Sequence, residues 1–259
     1  MIVDLHNHTT LCNHAEGTTQ EYIEQAIKNK TKYFGFSDHA PMSFDPKYRM
    51  DFSEMDMYEK NILEAQEKYK DKIEILLGYE VDYLDGHMDN RVLDVDVDYL
   101  IGSVHFIDKW GFDNPEFIGR YKEMDIDEIW GKYFDSIKDM ANSNLFDIVG
   151  HLDLIKVFKY LPNKPILSLA KEALQAIKEA DMVVELNAAG FRKPIAEAYP
   201  SYELLEQVYK LNIPITFASD AHKPEQVGQN SEKIITMAKQ VGYEECAVFK
   251  KRKRQLIKF

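Results

Sequence analysis

The chain has 259 residues, 45% hydrophobic and 29% charged, a balance that buries a core and excludes wholesale disorder. Its 32 basic and 44 acidic residues leave a formal charge of −12, which argues against a general nucleic-acid binder. No run approaches the roughly 18 apolar residues of a membrane span, no leader pattern opens the chain, and Cys12 and Cys246 make no disulfide framework, so a reduced cytoplasmic protein is expected.

In chain order, residues 2–6 read as a first strand ending at His6, with His8 two positions on. His14 follows in a loop that also holds Cys12. Residues 18–29 predict a helix: Thr18 and Glu21 have capping-box spacing, and Tyr22, Ile23, Ala26 and Ile27 share one face. A second strand over 33–38 is closed by His39. Region 40–52 is the longest without a pattern and is expected as a loop beside the site. A helix over 53–69 takes Ser53 as its N-cap. Strand three, 73–81, carries Glu80; His87, in the polar loop beyond, reads as a surface residue. Strand four, 99–105, ends on His105, and after a helix over 125–141, strand five, 147–151, ends on His151. A helix over 165–180 opens on a proline suited to a first turn. Strand six covers 182–187, with Arg192 just after it. Following a helix over 200–211, strand seven, 213–220, ends on Asp220, with His222 next but one. A last helix covers 224–241. The final ten residues carry six basic side chains and no acid, which reads as a solvated charged end or a contact for an anionic partner.

Seven nearly continuous apolar strands alternating with helices predict an α/β protein with a parallel sheet buried on both faces. A closed seven-stranded barrel is preferred to an open doubly wound sheet, with residues 1–259 as one domain.

The strand ends carry the functional signal. In a parallel α/β fold the C-terminal ends gather on one face, where sites are built. One histidine at such an end is ordinarily structural. Here six strands each deliver a metal-competent group: His6, His39, Glu80, His105, His151 and Asp220. On an extended chain His6 and His8 point to one side, as do Asp220 and His222. Imidazole and carboxylate together suit zinc, manganese or iron and disfavour an all-oxygen magnesium or calcium site.

At these residues the chain resembles the polymerase and histidinol phosphatase (PHP) family, and within it the monofunctional histidinol-phosphate phosphatases. The matching motifs are Asp4-Leu5-His6-Asn7-His8 with His14, Phe36-Ser37-Asp38-His39, Gly78-Tyr79-Glu80 and Gly102-Ser103-Val104-His105. They continue with Gly150-His151-Leu152-Asp153, Glu185-Leu186-Asn187 and Ser219-Asp220-Ala221-His222. The resemblance implies a distorted (β/α)7 barrel with its active site at the C-terminal strand ends, and three divalent ions. His6, His8, Glu80 and Asp220 would hold one ion; Glu80, His105 and His151 a second, with Glu80 bridging; His14, His39 and His222 the third. With these positions filled, Cys12 is not expected to ligate.

The implied reaction is hydrolysis of L-histidinol phosphate in histidine biosynthesis by a hydroxide shared between two ions. Asp220 or His222 is expected to protonate the leaving alkoxide. Arg192 is expected to grip phosphate, with Lys156 as a second candidate, and Ser103 to orient substrate or neighbouring groups. Loop acids Asp45, Asp82 and Asp113 are candidates for meeting the substrate amine. The partner is then a small phosphorylated molecule, with no nucleic acid and no membrane. Other readings are a phosphatase for another small monoester or a nucleotide phosphodiester, a metal-stabilised interaction module, and an amidohydrolase without an evident bridging lysine.

Overall fold

The computed structural model describes residues 1–259. Its first half runs β1 (Val3–Asp4), α1 (Thr19–Lys28), β2 (Tyr33–His39), α2 (Met55–Tyr69), β3 (Glu74–Asp82), α3 (Asn90–Leu93) and β4 (Tyr99–Ser103). A small hairpin, β5 (Phe106–Ile107) and β6 (Trp110–Gly111), precedes α4 (Ile126–Asn142). Then come β7 (Ile148–Val149), α5 (Ile166–Glu179), β8 (Val183–Asn187), α6 (Tyr202–Lys210), β9 (Ile215–Ala218) and α7 (Ser231–Val241). A second hairpin, β10 (Glu245–Lys250) and β11 (Lys253–Lys258), ends the chain.

The strands β1-β2-β3-β4-β7-β8-β9 form one parallel sheet. It closes on itself: Leu5 N–H donates to the Phe217 carbonyl and His8 N–H to the Ala221 carbonyl, each at 3.0 Å. The expected seven-stranded barrel is therefore present. Its strands read as apolar runs because both faces are covered; every residue of β4 and of β8 is buried. Tyr99 crosses the barrel interior and donates its hydroxyl to the Leu5 carbonyl at 2.6 Å. A Cβ on Gly35 would lie 1.9 Å from that hydroxyl, so β2 needs a glycine there.

Local signals set the helices. The Thr18–Glu21 capping box forms in both directions. Helix α2 starts two residues later than expected, because Phe52–Glu54 forms a separate 3₁₀ turn capped by Asp51, to which the Ser53 hydroxyl donates at 2.7 Å. Helix α7 starts at Ser231, because Pro224–Gln226 forms a separate turn and Gly228 takes a positive φ of 72°. No helix is long and apolar enough to cross a membrane.

The basic end is an ordered hairpin rather than a free tail, although most of its basic side chains stay exposed. β10 and β11 lie across the N-terminal ends of the barrel strands, and Ala247, Val248 and Phe249 are buried there. Lys250 lies 3.2 Å from Glu74, Lys251 2.9 Å from Asp96 and Arg254 2.9 Å from Asp181, while Arg252 pairs with Asp147. These acids stand at or before the starts of β3, β4, β8 and β7, so four of the six cations are answered within the chain, while Lys253 and Lys258 face solvent.

Candidate metal centre

The parallel register delivers the polar groups. β2 and β3 place His39 opposite Glu80. His6 and His8 lie beyond the short β1, on either side of Asn7, which forms a parallel bridge to Ala221. Alternation turns both rings inward, while Asn7 donates to Asp4 and to the Gly35 carbonyl at 3.1 Å each. The predicted strands over 147–151 and 213–220 stop early, at Val149 and Ala218. His151 and Asp220 then take positive φ values of 21° and 50°, turns that re-aim both side chains into the cluster. Arg192 clamps the second turn: its Nη2 donates to the carbonyls of Ser219 and Asp220, both at 2.8 Å.

The rings are crowded. Centroids lie 5.0 Å apart for His6 and His8, 4.0 Å for His8 and His222, 4.7 Å for His14 and His222, and 4.8 Å for His105 and His151. Glu80, 1% exposed, sits at the centre. Its Oε2 lies 2.9 Å from His39 Nδ1 and 3.3 Å from His6 Nε2. Its Oε1 lies 2.9 Å from His151 Nε2 and accepts the Ser103 hydroxyl at 2.7 Å. Asp220 Oδ1 lies 3.2 Å from His8 Nε2. Three trios bring their ligand atoms within 4.8 Å of one another: His6, His8 and Glu80; Glu80, His105 and His151; His14, His39 and His222. A fourth, His8, Cys12 and His222, adds a thiol, which donates to the Thr9 carbonyl at 3.1 Å.

Behind the rings stand carboxylates that the sequence reading gave no role on the rings. Glu185 Oε2 lies 2.7 Å from His6 Nδ1, Asp38 Oδ1 3.3 Å from His8 Nδ1, and Asp82 Oδ1 2.6 Å from His105 Nδ1. Each draws the proton of the neutral ring to Nδ1, so that Nε2 is the nitrogen such a ring offers to a cation. Asp82 also accepts from Arg49 Nη1 at 2.5 Å, so it is not free to meet a substrate amine. The signal for Glu185 was present: a carboxylate inside an apolar strand, two residues from Asn187, which donates to it at 2.6 Å.

Electrostatics separate the rings. Burial pushes His39 down to about 4, against the pull of Glu80. At His105 burial is outweighed by Asp82 and Glu80, which hold the ring at about 10. Burial also opposes charge on Glu80, but His39 and His6 keep it well below the carboxylate range. His6 Nε2, His8 Nε2, His39 Nδ1 and Glu80 Oε2 are buried and make no well-aligned hydrogen bond; they crowd one another, His39 Nδ1 at 2.9 Å and His6 Nε2 at 3.3 Å from Glu80 Oε2, and His8 Nε2 at 3.2 Å from Asp220 Oδ1. Imidazole nitrogens and carboxylates turned on one another in a buried cluster fit a divalent-cation cage.

Above the cluster opens a cavity of about 770 Å³. His14, His39, His105, His151, Asp220 and His222 reach it; Tyr48 and Arg49 of the 40–52 loop and Arg192 line its walls, as expected of that loop. Arg192 Nη1 is buried and unpartnered. Two expected substrate contacts lie elsewhere. Ser103 is fully buried against Glu80. Lys156 is 1% exposed and off the cavity wall, its ammonium 2.9 Å from Asp153, 3.2 Å from Glu197 and donating to the Ala198 carbonyl at 2.8 Å. A buried ammonium needs such partners, and they keep it from the cavity. His87 is half-buried, its ring centroid 5.1 Å from that of Phe44.

The PHP domain family matches residues 4–189. The chain is 37% identical to the probable histidinol-phosphatase of Deinococcus radiodurans, over 98% of each chain. It is 30% identical to the histidinol-phosphatase of Bacillus subtilis (strain 168), over 90% of this chain and 97% of that one. Its fold is similar to that of histidinol phosphate phosphatase from Lactococcus lactis subsp. lactis Il1403, crystallised with zinc, L-histidinol and phosphate; the TM-score is 0.82, at 24% identity and 98% of both chains.

Proposed function

This chain belongs to the PHP-domain family, and from that premise we propose that it is a histidinol-phosphatase, hydrolysing L-histidinol phosphate to L-histidinol and phosphate in histidine biosynthesis. The observation that carries the reading is the set of buried imidazoles gathered around Glu80, below a cavity lined by Arg192. We assign His6, His8, Glu80 and Asp220 to one divalent ion, Glu80, His105 and His151 to a second, and His14, His39 and His222 to a third. When bound, such ions, zinc, manganese or iron, supply Lewis acidity to the phosphoryl oxygens and lower the pKa of water.

The chain's own groups do the rest. Glu185, Asp38 and Asp82 fix the ring tautomers, and Ser103 fixes Glu80. The unpartnered Arg192 Nη1 is the donor offered to a phosphoryl oxygen. Asp220 and His222, both on the cavity wall, are the groups placed to pass a proton to the leaving alcohol oxygen. Residues 1–259 act as one unit, and the two unpaired cysteines suit the cytoplasm.

The test is direct. Purified protein should release phosphate from L-histidinol phosphate, lose that activity in a strong chelator, and regain it with manganese, iron or zinc. Full activity in metal-free protein would remove the mechanism.

A further inference from the structure

Arg49 lies in the 40–52 stretch that carries no sequence pattern, yet it is only 4% exposed. A buried guanidinium needs partners, and here they come from two directions. Its Nε donates to the Asp45 carbonyl at 2.7 Å, within the loop itself. Its Nη1 donates to Asp82 Oδ2 at 2.5 Å, on β3. The main chain is held as well, since the Arg49 carbonyl accepts from Asn13 Nδ2 at 3.0 Å.

These anchors lead to the ion cluster. Asn13 takes a positive φ of 66° immediately before His14. Tyr48, next to Arg49, meets the His14 ring edge-on, with centroids 5.7 Å apart. Asp82 follows Glu80 by two positions on β3, so both carboxylates leave one face of the strand.

Asp82 has one partner on each oxygen. Oδ2 takes Arg49, and Oδ1 takes His105 Nδ1 at 2.6 Å. With Oδ2 held, the carboxylate cannot turn without breaking a buried ion pair. Without Arg49 it keeps a single partner, and the orientation of the His105 ring is no longer fixed from behind. The loop therefore reaches past the cavity wall to a group that aims a proposed ligand.

We propose that Arg49 is a positioning residue of the ion site assigned to Glu80, His105 and His151: acting through Asp82 it fixes the His105 ring, and so makes the 40–52 loop part of that site. The inference rests on the ion assignment above. Coupling of this kind is reciprocal: if the loop raises the affinity for the ion, the ion holds the loop by the same factor.

In the experiment, zinc-loaded protein is equilibrated in buffers of falling free zinc, and ions per chain are read by elemental analysis. Arg49→Met removes the charge and keeps much of the length. It should raise the free zinc that half-fills one site by about 10-fold or more. In an Asp82→Ala background the same substitution should add less than about twofold, because the group it acts through is gone. Arg49→Lys keeps the charge but attaches at one point; it should lose an intermediate amount, and it gives the same reading if Arg49→Met does not fold. Zinc should also slow hydrogen exchange of the 47–49 amides by about tenfold in wild type, and by less than about twofold in Arg49→Met. An unchanged zinc affinity in Arg49→Met, or an equal loss in both backgrounds, would overturn the role of Arg49 while the metal centre stands. Wild-type protein that takes up no zinc would overturn the metal centre, and this inference with it.

Discussion

Glu80 meets His6, His39 and His151 with one carboxylate, and Ser103 braces it from behind. Glu80→Gln keeps the shape and removes the charge that two proposed ion sites share. It should lower kcat/KM by about 10³-fold or more and lower metal content per chain, as elemental analysis would read, with the circular dichroism spectrum unchanged. Asp82→Ala acts one step back: without it the His105 ring loses its fixed tautomer, and metal affinity should fall about 10–100-fold in chelator competition. The same pair predicts a pH effect in metal-free protein. His105 is held at about 10, above the unfolded value near 6.5, so its contribution to stability is fully present below about pH 6.5 and is lost as pH rises through about 10. In chelator, the Tm difference between wild type and His105→Gln should be largest near pH 6 and vanish above pH 10. Bound metal needs the neutral ring instead, so the stabilisation gained on adding metal should grow over the same interval. The proposed ligand residues at the strand ends were legible in the sequence because each follows an apolar run. Glu185 was visible as an acid inside such a run, but which ring it supports was not, since the partner is remote: it serves His6 from 179 positions away.

The barrel strands were legible because burial on both faces leaves an apolar run that no surface strand shows. The two hairpins were not. β5 and β6 have two residues each, too few for any period to register. β11 shows no period, with Leu256 and Ile257 adjacent between charged ends, and its Arg254 and the preceding Arg252 find their acids at strand starts elsewhere in the chain. β10 and β11 predict a separable effect. Phe249, 4% exposed, packs into the covered end of the barrel. Phe249→Ala should cost about 3–5 kcal/mol in urea unfolding, as truncation of a buried aromatic does. Metal content and kcat measured well below the lowered Tm should match wild type, because the substitution lies at the opposite end from Glu80. A loss of metal in this variant would show that the two ends are coupled.

At the scale of the molecule, an acidic protein holds an anionic substrate. The formal charge is −12, and three divalent ions would halve it while placing all the new positive charge below one cavity. Because metal uptake displaces protons from rings such as His105, the ions are counted by elemental analysis rather than by charge: about three per chain are expected, and one per chain would reduce the centre to a single ion. Loaded protein should also melt higher, since ligand at about 1,000 times its Kd stabilises a fold by about 4 kcal/mol.

The barrel's opposite rims share no working side chain. One rim is a buckle of Lys250, Lys251, Arg252 and Arg254 fastened to acids at the strand roots. The other is open and built from loops. Foreign loops grafted onto the open rim would leave that fastening in place, which makes the molecule a chassis whose chemistry can be re-equipped without rebuilding its frame.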